Sequence, residues 1–180
     1  MTLRKPTAAL FAVLALIAAT TLGLTAPATA APVPGHHDFA AQAAQAGLDD
    51  DEAEDLRKQV DDHLARHGGE QTALNRIELA GTGEIVLPIP GARDARADCP
   101  SQNFCMFTGP NFSGAQFNLY RCGTYDLENW TGNGSWINNQ TPGTRARFLD
   151  SNRNTIYTTP GAYSASSSYN WSPVWHVVPC

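Results

Sequence analysis

Cys99-Pro-Ser-Gln-Asn-Phe104-Cys105-Met-Phe107-Thr-Gly-Pro-Asn-Phe112-Ser-Gly114 is the stretch that decides how this chain folds. Phe107 and Phe112 lie five apart, with Gly114 two further on. That spacing suits a hairpin folded back over its own sheet. The first ring then packs on the second, and the glycine takes a turn with φ > 0 that other residues adopt only with strain. Two cysteines frame the motif, so the expectation is a small all-β domain tied by disulfides, and the pattern argues against an enzyme cleft.

Working outward, the rest of that residue set lies downstream. All four cysteines fall between Cys99 and Cys180, and the only aromatics outside that span are Phe11 and Phe39. On this distribution the N-terminal half is expected not to share the aromatic core, which divides the chain into two different parts. The total length of 180 residues allows one ordinary domain plus accessory segments. A net charge of −5 and a pI near 5.4 leave no basic face to displace counterions from phosphates, so no nucleic-acid partner is expected.

Residues 1–30 read as an export signal. Arg4 and Lys5 form the charged start, Ala8 to Ala19 the apolar run, and Ala28-Thr29-Ala30 an A-x-A cleavage site before Ala31. The apolar run falls short of the ~20 residues a bilayer span needs, so no membrane association is expected once the signal is removed. Export in turn makes four cysteines a two-disulfide framework.

Residues 31–89 read as a helix-plus-hairpin segment. Asp38 to Ala46 is a short helix ending at Gly47. Asp49 opens a stronger one, with Glu52 in capping-box register and an apolar stripe at Ala53, Leu56, Val60 and Leu64. Asp50, Asp51, Glu52 and Glu54 crowd the end where the helix dipole favours negative charge. Gly68-Gly69 stops the helix, and Arg76–Leu79 and Glu84–Ile89 read as short strands around Gly81-Thr82-Gly83. A linker, residues 90–98, follows. Arg93 and Arg96 are candidate cleavage points that would make the preceding residues a pro-segment; an ordinary charged linker is the competing reading.

Residues 99–180 alternate short apolar runs with Gly, Pro, Asn and Ser clusters. The runs are Phe104–Phe107, Ala115–Tyr120, Arg145–Leu149, Thr155–Tyr157 and Val174–Val178, with no long helix among them. Turns at such intervals indicate a sandwich or barrel. Four cysteines allow three pairings; Cys99–Cys105 with Cys122–Cys180 is favoured, closing one short and one long loop. In the loop-entropy picture the long closure contributes roughly 4 kcal/mol and the short one roughly 2 kcal/mol.

Chemistry-bearing groups are sparse. The β-domain has one histidine, His176, and its acids Asp98, Asp126, Glu128 and Asp150 nominate no catalytic pair. Neither a His-Glu-x-x-His pattern nor a Gly-x-Ser-x-Gly elbow occurs, and oxidised cysteines supply no thiolate. His63 and His67 share a helix face but have no third ligand, so they read as solvated helix residues rather than a metal site. Trp130, Trp136, Trp171 and Trp175 read first as core and second as a sugar-stacking platform. Neither a cofactor nor a bound metal is expected.

These residues resemble a βγ-crystallin-type Greek-key domain, whose signature is an aromatic, four residues, an aromatic, one residue and a glycine. The frame Cys99-Pro100…Cys105-Met106-Phe107 with Asn111-Phe112-Ser113-Gly114 is similar to that of the secreted actinobacterial peptidase-inhibitor family, the Streptomyces metalloproteinase inhibitor type. The resemblance implies a sandwich of two Greek keys over 99–180, and blocking of thermolysin-like metallopeptidases. Two positions depart from the pattern. Tyr157 is followed five residues later by Ala162, with Tyr163 one place late and Ser164 where a glycine belongs. Asn138-Asn139-Gln140-Thr141 runs into Pro142-Gly143, so the hydroxyl that completes a crystallin calcium site is missing.

The expected protein is therefore a secreted, non-enzymatic inhibitor whose partner is an extracellular peptidase. Its candidate contact loops are Thr158–Asn170 and Gly132–Gly143, Gly/Ser/Asn-rich stretches read as lacking strong core residues, with Tyr163 as apolar anchor. The alternative is a non-enzymatic cell-surface module, structural or glycan-binding, in which exposed tryptophans carry function. A monomer is compatible with the sequence, which leaves the oligomeric state, target and contact loop open.

Overall fold

Local signals in the sequence set up the elements of the fold, and long-range pairing then joins them in an order the sequence does not announce. The computed structural model describes residues 39–91, 98–127 and 130–180. The export signal, the Pro-rich start Ala31–Gly35, Asp38 of the expected short helix, the linker arginines Arg93 and Arg96, and Glu128 lie outside the described residues.

Helix α1 (Ala40–Ala46) ends at Gly47, whose φ of 76° is the left-handed helix stop. Helix α2 (Asp50–His67) opens on the expected capping box: Glu52 N donates to Asp49 Oδ1 at 2.8 Å and Asp49 N donates to Glu52 Oε2 at 3.1 Å. Acids fill its first turn and Arg66 and His67 its last, both favoured by the helix dipole. Within the apolar stripe, Leu56 and Val60 are fully buried.

Among the described residues all strand pairs are antiparallel. The larger sheet runs β1 (Glu70–Ala73), β2 (Arg76–Glu78), β3 (Gly83–Val86), β5 (Ser113–Leu119), β4 (Asn103–Gly109), β7 (Asn133–Asn139) and β10 (Ser164–Asn170). The smaller sheet runs β6 (Tyr125–Asp126), β11 (His176–Val178), β8 (Arg147–Leu149) and β9 (Thr155–Thr158). Together they form an all-β sandwich with a small helical segment ahead of it.

One face of the larger sheet is covered twice. The smaller sheet lies over its β4–β7–β10 part, where Phe148 of β8 meets Phe104, Trp136, Tyr169 and Trp171 at ring distances of 5.0–6.3 Å. Helix α2 covers the β2–β3–β5 part, and its Leu56 and Val60 share one core with Ile77, Ile85, Leu87 and Phe117. Trp130 bridges the two, 4.7 Å from Phe117 and 5.6 Å from Trp171.

This arrangement corrects three expectations. The helix-plus-hairpin segment does share the aromatic core, because its aliphatic side chains fill the space that Phe117 and Trp130 leave open; a common core needs complementary volume, not aromatics from both sides. It also joins the same sheet, through β3 paired to β5 from Gly83↔Leu119 to Val86↔Gln116. His63 and His67 are half-buried rather than solvated, stacked on one another at 5.6 Å and set edge-on to Phe117 at 5.7 and 5.4 Å. Burial pushes the His63 imidazole down to about 4, with the Arg66 charge adding to the shift, so the ring is neutral near pH 7.

The third correction concerns the loops. Most of Gly132–Gly143 is strand β7, flanked by β4 and β10, with Trp136 and Ile137 buried on opposite faces. Most of the second half of Thr158–Asn170 is the edge strand β10. Serine and asparagine have low strand propensity, but ladder pairing and the burial of neighbouring rings override it. Only short turns remain of the two candidate loops.

Candidate inhibitory surface

The opening motif builds a turn whose aromatic faces inward. Phe107 is fully buried, and Phe112 packs edge-on against it at 5.7 Å, in a cluster with Cys99, Cys105 and Ile137. Gly114 has φ 79°, and a Cβ there would come within 2.3 Å of Thr108 Oγ1, so no other residue fits without displacement. Ser135 Oγ anchors the turn from β7, accepting from Phe112 N at 2.8 Å and donating to Gly109 O at 2.7 Å. Cys99 pairs with Cys105 and Cys122 with Cys180, the favoured pairing.

The corresponding turn between β9 and β10 is built differently. Tyr157 packs on Phe148 at 5.3 Å and Tyr169 at 5.1 Å, while Tyr163 is 69% exposed, the most exposed large apolar side chain among the described residues. Polar contacts fix the backbone beneath Tyr163. Buried Asn138 donates from Nδ2 to Thr144 O at 2.9 Å and Pro160 O at 3.3 Å. Buried Thr159 donates its N–H to Ala146 O at 2.8 Å and accepts from Ala146 N at 2.9 Å through Oγ1. Ala162 N donates to Thr144 O at 3.1 Å, and Ser164 Oγ to Pro160 O at 3.1 Å. The turn is thus held in one shape with an aromatic side chain at its outer end.

Asn138 also accepts from Gln140 Nε2 at 3.0 Å, and Asn139 Nδ2 donates to Cys99 O at 2.8 Å. The two asparagines of the calcium-like stretch therefore support the turn and the disulfide hairpin. Among the described residues no group of three His, Cys, Asp or Glu side chains is placed to hold a metal.

Three of the four tryptophans are core: Trp130, Trp136 and Trp171 are buried, and only Trp175, 56% exposed, reaches the surface. A platform built from all four is therefore not available. Nearby, β6–β11 pairing sets Asp126 opposite His176, and His176 Nδ1 lies 2.5 Å from Asp126 Oδ1. Sequence reasoning missed this pair because fifty residues separate its members and only sheet register joins them. It lacks a nucleophile: Ser172 Oγ, in the same groove, accepts from Gly132 N at 3.0 Å, and no hydroxyl bonds His176 among the described residues. Asp150 is tied into its own turn, where the side-chain and backbone N–H groups of Asn154 hold its carboxyl below the usual range.

The described residues thus form a disulfide-tied sandwich that carries an aromatic-tipped turn held by hydrogen bonds. Residues 92–158 match the model of peptidase inhibitor family I36. The matched stretch contains the Cys99–Cys105 hairpin, the Phe107–Gly114 motif and Asn138, and it ends just before the Tyr163 turn. No curated protein and no solved structure matched the chain.

Proposed function

We propose that this protein is a secreted inhibitor of extracellular metallopeptidases of the thermolysin type, and that it presents the turn Thr159–Ser164, with Tyr163 as apolar anchor, to the enzyme's cleft. On this reading residues 1–30 direct export, and the sandwich is a crystallin-like pair of Greek keys serving as a rigid base. The observation that carries the proposal is the exposure of Tyr163 on a backbone pinned by buried Asn138 and Thr159. A turn already held in its bound shape loses little ordering entropy on association, so more of the contact energy is available as affinity. An exposed aromatic entering an apolar pocket supplies a hot spot of ~2 kcal/mol or more.

The test is titration of the intact chain into a thermolysin-like metallopeptidase with a fluorogenic peptide substrate. Inhibition is expected at micromolar or lower concentration, and Tyr163→Ala is expected to weaken it by about 30-fold. The same variant should keep the parent's urea midpoint to within ~0.5 kcal/mol, as an exposed side chain requires. Full peptidase activity at micromolar chain overturns the inhibitor reading; unchanged inhibition by Tyr163→Ala overturns the choice of turn.

A further inference from the structure

We propose that the groove beside Trp175 is a separate binding site for a gluco-configured pyranose. The groove encloses about 500 Å³, within the ~300–1,000 Å³ range of small-molecule sites, and combines an apolar plate with a polar rim. Trp175 provides the plate. Its backbone is clamped from both sides, N–H donating to Leu149 O at 2.8 Å and C=O accepting from Leu127 N at 2.8 Å, so the exposed indole stands on a fixed base. Buried Trp130 forms part of the floor.

The rim carries the Asp126 carboxylate and the hydroxyls of Thr131 and Ser172. The Asp126 side chain is 62% exposed and its Oδ1 is held by His176 Nδ1, so the carboxylate is positioned while it stays open to solvent. One exposed tryptophan needs no explanation by itself. An exposed indole beside a positioned carboxylate and two hydroxyls calls for a ligand with one apolar face and a ring of hydroxyl groups at its edge. A gluco-configured pyranose meets that demand. Its equatorial hydroxyls leave axial C–H groups on each face, polarised toward the negative face of the indole. Its vicinal hydroxyls donate to the carboxylate, a charge-assisted bond of the stronger kind. Anionic ligands are disfavoured by Asp126 and by the chain's net charge of −5.

The intact chain, labelled with ¹⁵N, is titrated with cellotriose and with triacetylchitotriose while amide resonances of Thr131 and Ser172 are followed. Saturable shifts are expected with a dissociation constant on the order of 0.1–10 mM for at least one of the two. Trp175→Ala should weaken binding more than tenfold and Trp175→Phe less; Asp126→Asn should weaken it about fivefold. These are surface positions, and an unchanged amide spectrum outside the groove verifies that each variant folds. An absence of saturable shifts with either sugar up to about 20 mM, or binding that survives Trp175→Ala, overturns the proposal. Peptidase inhibition by Trp175→Ala should equal the parent's. Its loss would reassign the groove to the peptidase contact, whereas sugar binding by a chain that inhibits nothing would sink the inhibitor reading and leave this site standing.

Discussion

At the turn after β4, Phe112 folds back onto Phe107 and closes a small apolar cluster; at the turn after β9, Tyr163 lies in solvent and Tyr157 packs with rings of the main core instead. The sequence difference is small. The second aromatic comes five residues after the first in one turn and six after it in the other, and Gly114 is answered by Ser164. The consequence is a change in what stabilises each turn. The first is held by ring packing and by a glycine at φ 79°. The second, without an inward ring, is held by hydrogen bonds to buried Asn138 and Thr159, and its aromatic is left free for contact. A one-residue displacement thus separates an aromatic packed inward from one left in solvent.

The comparison can be broken most directly at Phe107. Phe107→Ala opens a cavity in the disulfide cluster and should cost about 3–5 kcal/mol in urea unfolding. A loss below ~1 kcal/mol would mean that the first turn does not depend on ring packing. Asn138→Ala attacks the second turn from beneath. Thr144 O and Pro160 O each lose one of two donors, with an expected loss of about 1–2 kcal/mol and weaker peptidase inhibition, although Asn138 itself is buried. Undiminished inhibition in that variant would show that the turn does not need its polar support. Gly114→Ala gives an effect no larger, about 1–2 kcal/mol, from left-handed backbone carrying a Cβ and the contact with Thr108. Its inhibition should match the parent's, because the first turn is a scaffold.

What was legible beforehand was local. The capping box at Asp49 and Glu52, the Leu56/Val60 stripe, the inward ring and glycine of the Phe107 motif, and short strands between turn residues all follow from groups within a few positions of one another. Strand β7 was not legible, because Asn133-Gly-Ser and Asn138-Asn139 disguise a strand whose stability comes from β4 and β10 on either side. The tryptophans divided as side chains of a small sandwich do, three inward and one outward, but their identity as residues could not say which one was Trp175. Asn138 gave a signal, as part of a metal-like stretch, and in the structure it supports a turn through Pro160, 22 residues away.

By itself, the sequence determined the class of the fold, the start and stop of α2 and the packing of the first turn, since each depends on composition or on neighbours along the chain. Only the tertiary structure decided that the helix-plus-hairpin segment completes the same sheet and core, that Asp126 meets His176, and that Tyr163 stands outward on a pinned turn. The physical reason is that hydrophobic periodicity states which face of an element is buried and leaves its partner unspecified. The partner is set by which distant surfaces fill one another's volume and satisfy one another's hydrogen bonds.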